Sequence, residues 1–118
     1  MIKRLWNEKE VAILIYGYLL IGTGIYTKKE VVNEMSKKFR KNALMKKLTI
    51  DEKYRNNSGI SMKLGNIDYL FSNGKSGFKN YSVLEYNVYK MFLNNKRAFD
   101  ELLLIAIKEY NFTWDVYL

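Results

Sequence analysis

Apolar residues recur along this chain at helical spacing, and a polar capping signal stands in front of most of the runs. Asn7-Glu8-Lys9-Glu10 places an N-cap residue three positions before a glutamate and opens an apolar run from Val11 to Ile25, which predicts a first helix to about Leu20 or Ile21, stopped by Gly22 and Gly24. Thr27-Lys28-Lys29-Glu30 repeats the signal, with Val31, Val32, Met35 and Phe39 as a core stripe; a pause at Asn42 and resumption through Leu44 and Leu48 are expected. Residues 51–57 read as a polar connector. Asn57 or Ser58 then caps a helix whose apolar positions are Ile60, Leu64, Ile67 and Phe71. A glycine-bearing basic loop over 72–80 leads to Ser82-Val83-Leu84-Glu85, a third capping box, for a helix through about Leu93. Asn95 to Tyr110 reads as the last helix. Phe112, Trp114, Val116 and Leu118 alternate with other residues, the period of an extended tail over 111–118, expected to pack back on its own core. The expected fold is all-α or mostly α: one compact domain over 1–118, four or five helices, with a helix-turn-helix-like centre.

A basic start followed by an apolar run imitates a secretory signal. Glu8 and Glu10 interrupt it, no Ala-x-Ala-like cleavage site follows, and the run falls short of the roughly 20 residues that span a bilayer, so it reads as a core helix. With no proline in 118 residues, no helix is broken from within. The chain holds no histidine and no cysteine. That removes zinc fingers, Cys and His nucleophiles and Ser-His-Asp triads. No carboxylate cluster at metal-binding spacing stands out either, and neither an enzyme nor a cofactor or metal is expected.

The net charge of +8 is unevenly placed: between Lys28 and Lys63 stand 11 basic and 4 acidic residues, leaving 9 and 8 for the rest. Such a segment attracts polyanions, nucleic acid most commonly, with anionic membrane or acidic protein as alternatives; a lysine-rich solvated face is the plain counter-reading. Lys, Asn, Ile and Tyr contribute 48 residues, as AT-rich coding produces, which points to a low-GC bacterium or its phage and to a cytoplasmic protein of the host cell.

The centre carries the sharpest signal. On the helix from Ser58, the side away from the apolar stripe holds Ser58, Ser61, Met62, Gly65 and Tyr69, flanked by Asn66 and Lys63, so a nucleic-acid backbone could approach closely there. An ordinary amphipathic helix whose Gly65 permits tight packing fits the same pattern. Arg55-Asn56-x-x-Gly59-Ile60-x-Met62-Lys63-Leu64-x-Asn66 resembles the N-terminal module of restriction-type HNH endonucleases, with Ser58 and Ile67 standing where that pattern has Asn and Phe. Gly74-Lys75-Ser76-Gly77-Phe78, then Ser82, Glu85, Val88, Tyr89 and Phe92, and Trp6 and Glu10 near the start, extend the resemblance over most of the chain, while the family's Asp-Pro after the helix is absent. An HNH nuclease needs histidine as base and metal ligand. The resemblance therefore implies the binding module without its nuclease: a non-catalytic protein whose partner is duplex DNA.

On that reading Arg55, Asn56, Ser58, Ser61, Lys63, Gly65 and Asn66 contact nucleic acid or another partner, with Lys37, Lys38 and Lys41 of the preceding helix and Lys75 and Lys79 of the loop on phosphates. The competing reading is a phage or mobile-element counter-defence protein, an anti-CRISPR or anti-restriction inhibitor that grips a nuclease effector or its guide RNA. Gly74-Lys75-Ser76 is only a fragment of a phosphate-loop motif: Tyr69 stands where its first Gly belongs and no strand precedes it, which argues against ATP.

Overall fold

The computed structural model describes residues 5–114, which form five α-helices and no strand. They are α1 Glu8–Thr23, α2 Lys28–Met45, α3 Asn57–Phe71, α4 Val83–Asn94 and α5 Lys96–Tyr110. Capping boxes close at Asn7 with Glu10, Thr27 with Glu30, and Ser82 with Glu85, each pair satisfying two backbone N–H groups that a helix start leaves open. Asn95 caps α5 from the residue that ends α4.

Three boundaries differ from the sequence expectation. α1 runs through Gly22 and stops at Gly24, whose left-handed backbone lets its N–H return to the Ile21 carbonyl. α2 does not resume after Asn42: it continues to Met45 and ends in a left-handed turn at Lys47, with Leu48 N donating to the Ala43 carbonyl. α3 is capped one residue earlier than expected, by Asn56, whose side chain accepts from Gly59 N. Residues 46–56 thus join α2 to α3, a longer link than the three- to four-residue turn of a helix-turn-helix.

α1 is the centre. It packs against each of the other four helices, and every residue from Glu10 to Gly17 is buried, which accounts for an apolar run without a polar face. Gly17 lets α2 close in; a Cβ there would fall within the space of Met35 and Val31. Phe39 gathers a second cluster, with the Trp6, Tyr110 and Phe112 rings 5.9, 5.1 and 5.9 Å away. Trp114 follows Phe112 onto the core and sits beside Tyr16 and Tyr26, so the start of the aromatic tail is buried; Val116 and Leu118 lie outside the described residues.

One polar knot ties the chain together. Arg55, in a left-handed backbone conformation, reaches Glu10 in a forked pair, Nε to Oε2 at 2.7 Å and an Nη to Oε1 at 3.1 Å. Its other contacts spread over the molecule: an Nη donates to the Leu5 carbonyl, Ser36 Oγ donates to the Arg55 carbonyl, and the guanidinium lies 4.0 Å from the centre of the Trp6 ring. Arg40 pins the same connector by donating to the carbonyls of Asp51 and Tyr54. Both Arg55 and Glu10 are buried, at 8% and 2% exposure.

Removing one partner of this pair leaves the other charge buried without compensation. Arg55→Ala is therefore expected to lower the unfolding free energy by ~3–5 kcal/mol, and Arg55→Lys to recover little of it because an ammonium cannot reproduce the fork. Urea unfolding followed by circular dichroism checks both. Alkaline titration gives an independent test. Burial pushes the hydroxyls of Tyr18 and Tyr110 up to about 12, with the Tyr18 to Asp68 bond adding to the effect at the first. The unfolded chain ionises these groups near pH 10, so stability is full below that and falls as the pH rises toward about 12. Tyr18→Phe should flatten part of that decline.

Candidate functional site

Sequence placed a nucleic-acid contact on Arg55, and the structure corrects this: its guanidinium is spent on Glu10, Leu5 and Trp6 inside the fold. Asn56 is likewise occupied as the α3 cap. Asn66, expected on the flank of a reading face, is buried, and its Nδ2 donates to Glu85 Oε1 at 3.3 Å. Glu85 also accepts from Ser82 N and from Lys63 Nζ, so Lys63 is held at the α3–α4 contact. Gly65 is not open to a groove of DNA. Phe78 lies on it, and the loop backbone is fastened there by Phe78 N donating to the Gly65 carbonyl at 3.0 Å.

The loop earns this position from local geometry. Asn73, Gly74 and Gly77 take positive φ values, and at Gly77 a Cβ would strike the Gly65 carbonyl and the Tyr69 nitrogen. Ser72 Oγ accepts from Ser76 N, and Ser76 Oγ donates to Asp68 Oδ2, whose other oxygen accepts from the Tyr18 hydroxyl. The segment that resembles a phosphate loop is thus a turn folded back along α3.

Between this loop, the first half of α3 and the 49–55 connector lies a groove of about 750 Å³. Trp6, Ile50, Tyr54, Met62 and Phe78 supply its apolar surface, and its polar groups include Asp51, Lys53, Lys63, Asn66 and Asn80. Phe78 and Met62 are more than half exposed and border the same groove, so they present a joint apolar surface there. Lys53 lies on the connector wall; Lys79, between Phe78 and Asn80 in the loop, is exposed but does not line the groove.

The other expected contacts divide. Ser58 is exposed and Ser61 half-buried on the first turns of α3. Asn57 Nδ2 donates to Asn33 Oδ1 at 2.7 Å, which seats that helix start against α2 one turn from exposed Lys37. Lys41 is exposed a turn further on, whereas Lys38 is half-buried and 3.7 Å from Glu34. Among the described residues, Lys37, Lys41, Lys53, Lys75 and Lys79 are exposed and in no ion pair, as are Lys28, Lys29, Lys47, Lys90 and Lys108 elsewhere on the surface. The contribution of Trp6, Lys53, Phe78 and Asn80 to the groove escaped sequence reasoning. The one available signal was Phe78, a large apolar residue between Gly77 and Lys79 in an otherwise polar loop.

No group of three or more acidic residues positioned to hold a metal ion occurs among the described residues. No helix among them is long and apolar enough to cross a membrane. Comparison with protein-family models, curated proteins and solved structures finds no match to this chain, so function is argued from the groove itself.

The Phe78 seat can be tested apart from any ligand. Gly65→Ala alone should cost roughly 1–3 kcal/mol as the ring is displaced. In a Phe78→Ala background the same change should be neutral or stabilising by up to about 1 kcal/mol, as for glycine replacement inside an open helix. A double-mutant cycle by chemical unfolding reads the coupling.

Proposed function

We propose that the protein is a non-catalytic nucleic-acid-binding protein that takes duplex DNA along the face bearing this groove. The observation that carries the reading is the exposed, unpaired Lys53 on the connector wall beside a half-exposed aromatic and methionine surface, with the exposed Lys79 in the adjoining loop. Exposed cations beside the groove suit a phosphate backbone, and the apolar surface suits bases or sugars. Lys37 and Lys41 on α2 and Lys75 in the loop extend the positive field beyond the groove.

The resemblance to the HNH-endonuclease module supports the same conclusion by a changed route. Its motif residues Glu10, Arg55, Asn56 and Asn66 build the groove's frame, and the phosphate contacts fall to lysines outside the motif. Histidine is absent, so nothing in this chain supplies the HNH general base.

Fluorescence anisotropy against a labelled duplex at several salt concentrations tests this. Binding should weaken steeply with salt, and Lys53→Ala with Lys79→Ala should reduce the log–log slope by about 0.9 per lost phosphate contact while the melting temperature holds. Unchanged affinity in the folded double variant would remove these lysines from the footprint. A salt-resistant complex with a nuclease effector, in place of salt-dependent DNA binding, would put a counter-defence role first.

A further inference from the structure

We infer that the groove receives a single unpaired nucleobase, stacked against Phe78 with its edge read by Asn66. This rests on the nucleic-acid reading above and adds what the groove selects. Asn66 is only 6% exposed and lines the groove, yet among the described residues its one hydrogen bond is Nδ2 to Glu85. The carboxylate fixes the amide orientation, since the end facing Glu85 Oε1 must be the N–H donor. That leaves the Oδ1 acceptor and the second Nδ2 hydrogen without a partner from the described residues, on a side chain that borders the groove. A buried amide left half-satisfied is costly, and a ligand edge offering a donor beside an acceptor relieves it.

An unpaired base offers such an edge on its Watson–Crick side, adenine through N6 and N1 and guanine through N1 and O6. The ring faces are met by apolar and aromatic groove walls, with Phe78 exposed enough to turn onto a base. Lys53, exposed and in no ion pair, stands within the same lining to meet a flanking phosphate. The groove volume of about 750 Å³ lies within the range of small-molecule sites and accommodates a base with its sugar. In a duplex the Watson–Crick partner and the stack keep a base out of such a site, so the occupant is extrahelical or single-stranded.

The probes are three labelled duplexes of one sequence: fully paired, with one extrahelical adenine, and with an abasic residue at the same place. Wild-type protein should favour the adenine bulge over the abasic bulge by on the order of ten- to a hundred-fold, the range that stacking one base contributes. Phe78→Ala, at an exposed position, should bring that ratio close to one, and Phe78→Trp should restore it. Asn66→Ala should lower the preference for the adenine bulge over the abasic one. Lys37→Ala should weaken all probes alike. Equal binding of adenine and abasic bulges, or a ratio that survives Phe78→Ala, overturns the base site and leaves duplex binding standing. Absence of binding to any probe overturns both.

Discussion

The buried pair of Arg55 and Glu10 is the constraint on which the rest depends. Two charges taken out of water are tolerated only if their hydrogen-bonding capacity is filled, and here the fork, the Leu5 carbonyl, the Asn7 nitrogen and the Trp6 ring fill it. Because those partners come from the segment before α1, from α1 itself and from the connector, satisfying one pair fixes the relative position of all three. α3 begins at the next residues, so its direction is set by the same knot. The groove is the space left over: its floor is α3, one wall the connector held by Arg55 and Arg40, the other the loop folded onto Gly65.

Scaffold and surface are therefore divided in an unexpected way. The conspicuous motif supplies the frame, with Asn56 as a cap, Glu85 joining a capping box to α3, and Gly65 as a seat for a ring. The inconspicuous lysines, individually replaceable and exposed, supply the field. Such a frame keeps its geometry while the cations on it change freely.

How much of this was legible follows from the range of each interaction. Helices α1, α2 and α4 were readable because a capping box is complete within four residues, as in Asn7 to Glu10. The α3 cap slipped by one because Asn56, Asn57 and Ser58 are all competent caps, and only the turn at Arg55 decides among them. The site was less readable. That Arg55 meets a carboxylate 45 positions away, or that Phe78 turns back over Gly65, depends on how helices pack. On charge and spacing alone, a buried arginine and a phosphate-binding one look the same. The exposed lysines Lys37, Lys41, Lys75 and Lys79 were legible for the opposite reason, since they need no partner within the chain.

The central position of α1 has a consequence for how the chain reaches its fold. The first of the five helices closes against the last, so the apolar stretch from Val11 to Tyr16 is synthesised long before Phe99, Leu103 and Ala106 exist to cover it. Contacts of such separation in sequence slow the closing step and prolong exposure of sticky surface on the way. On a ribosome, that stretch would offer a chaperone its binding site until α5 has emerged, and the finished domain should melt as one unit because no pair of outer helices retains a core without α1.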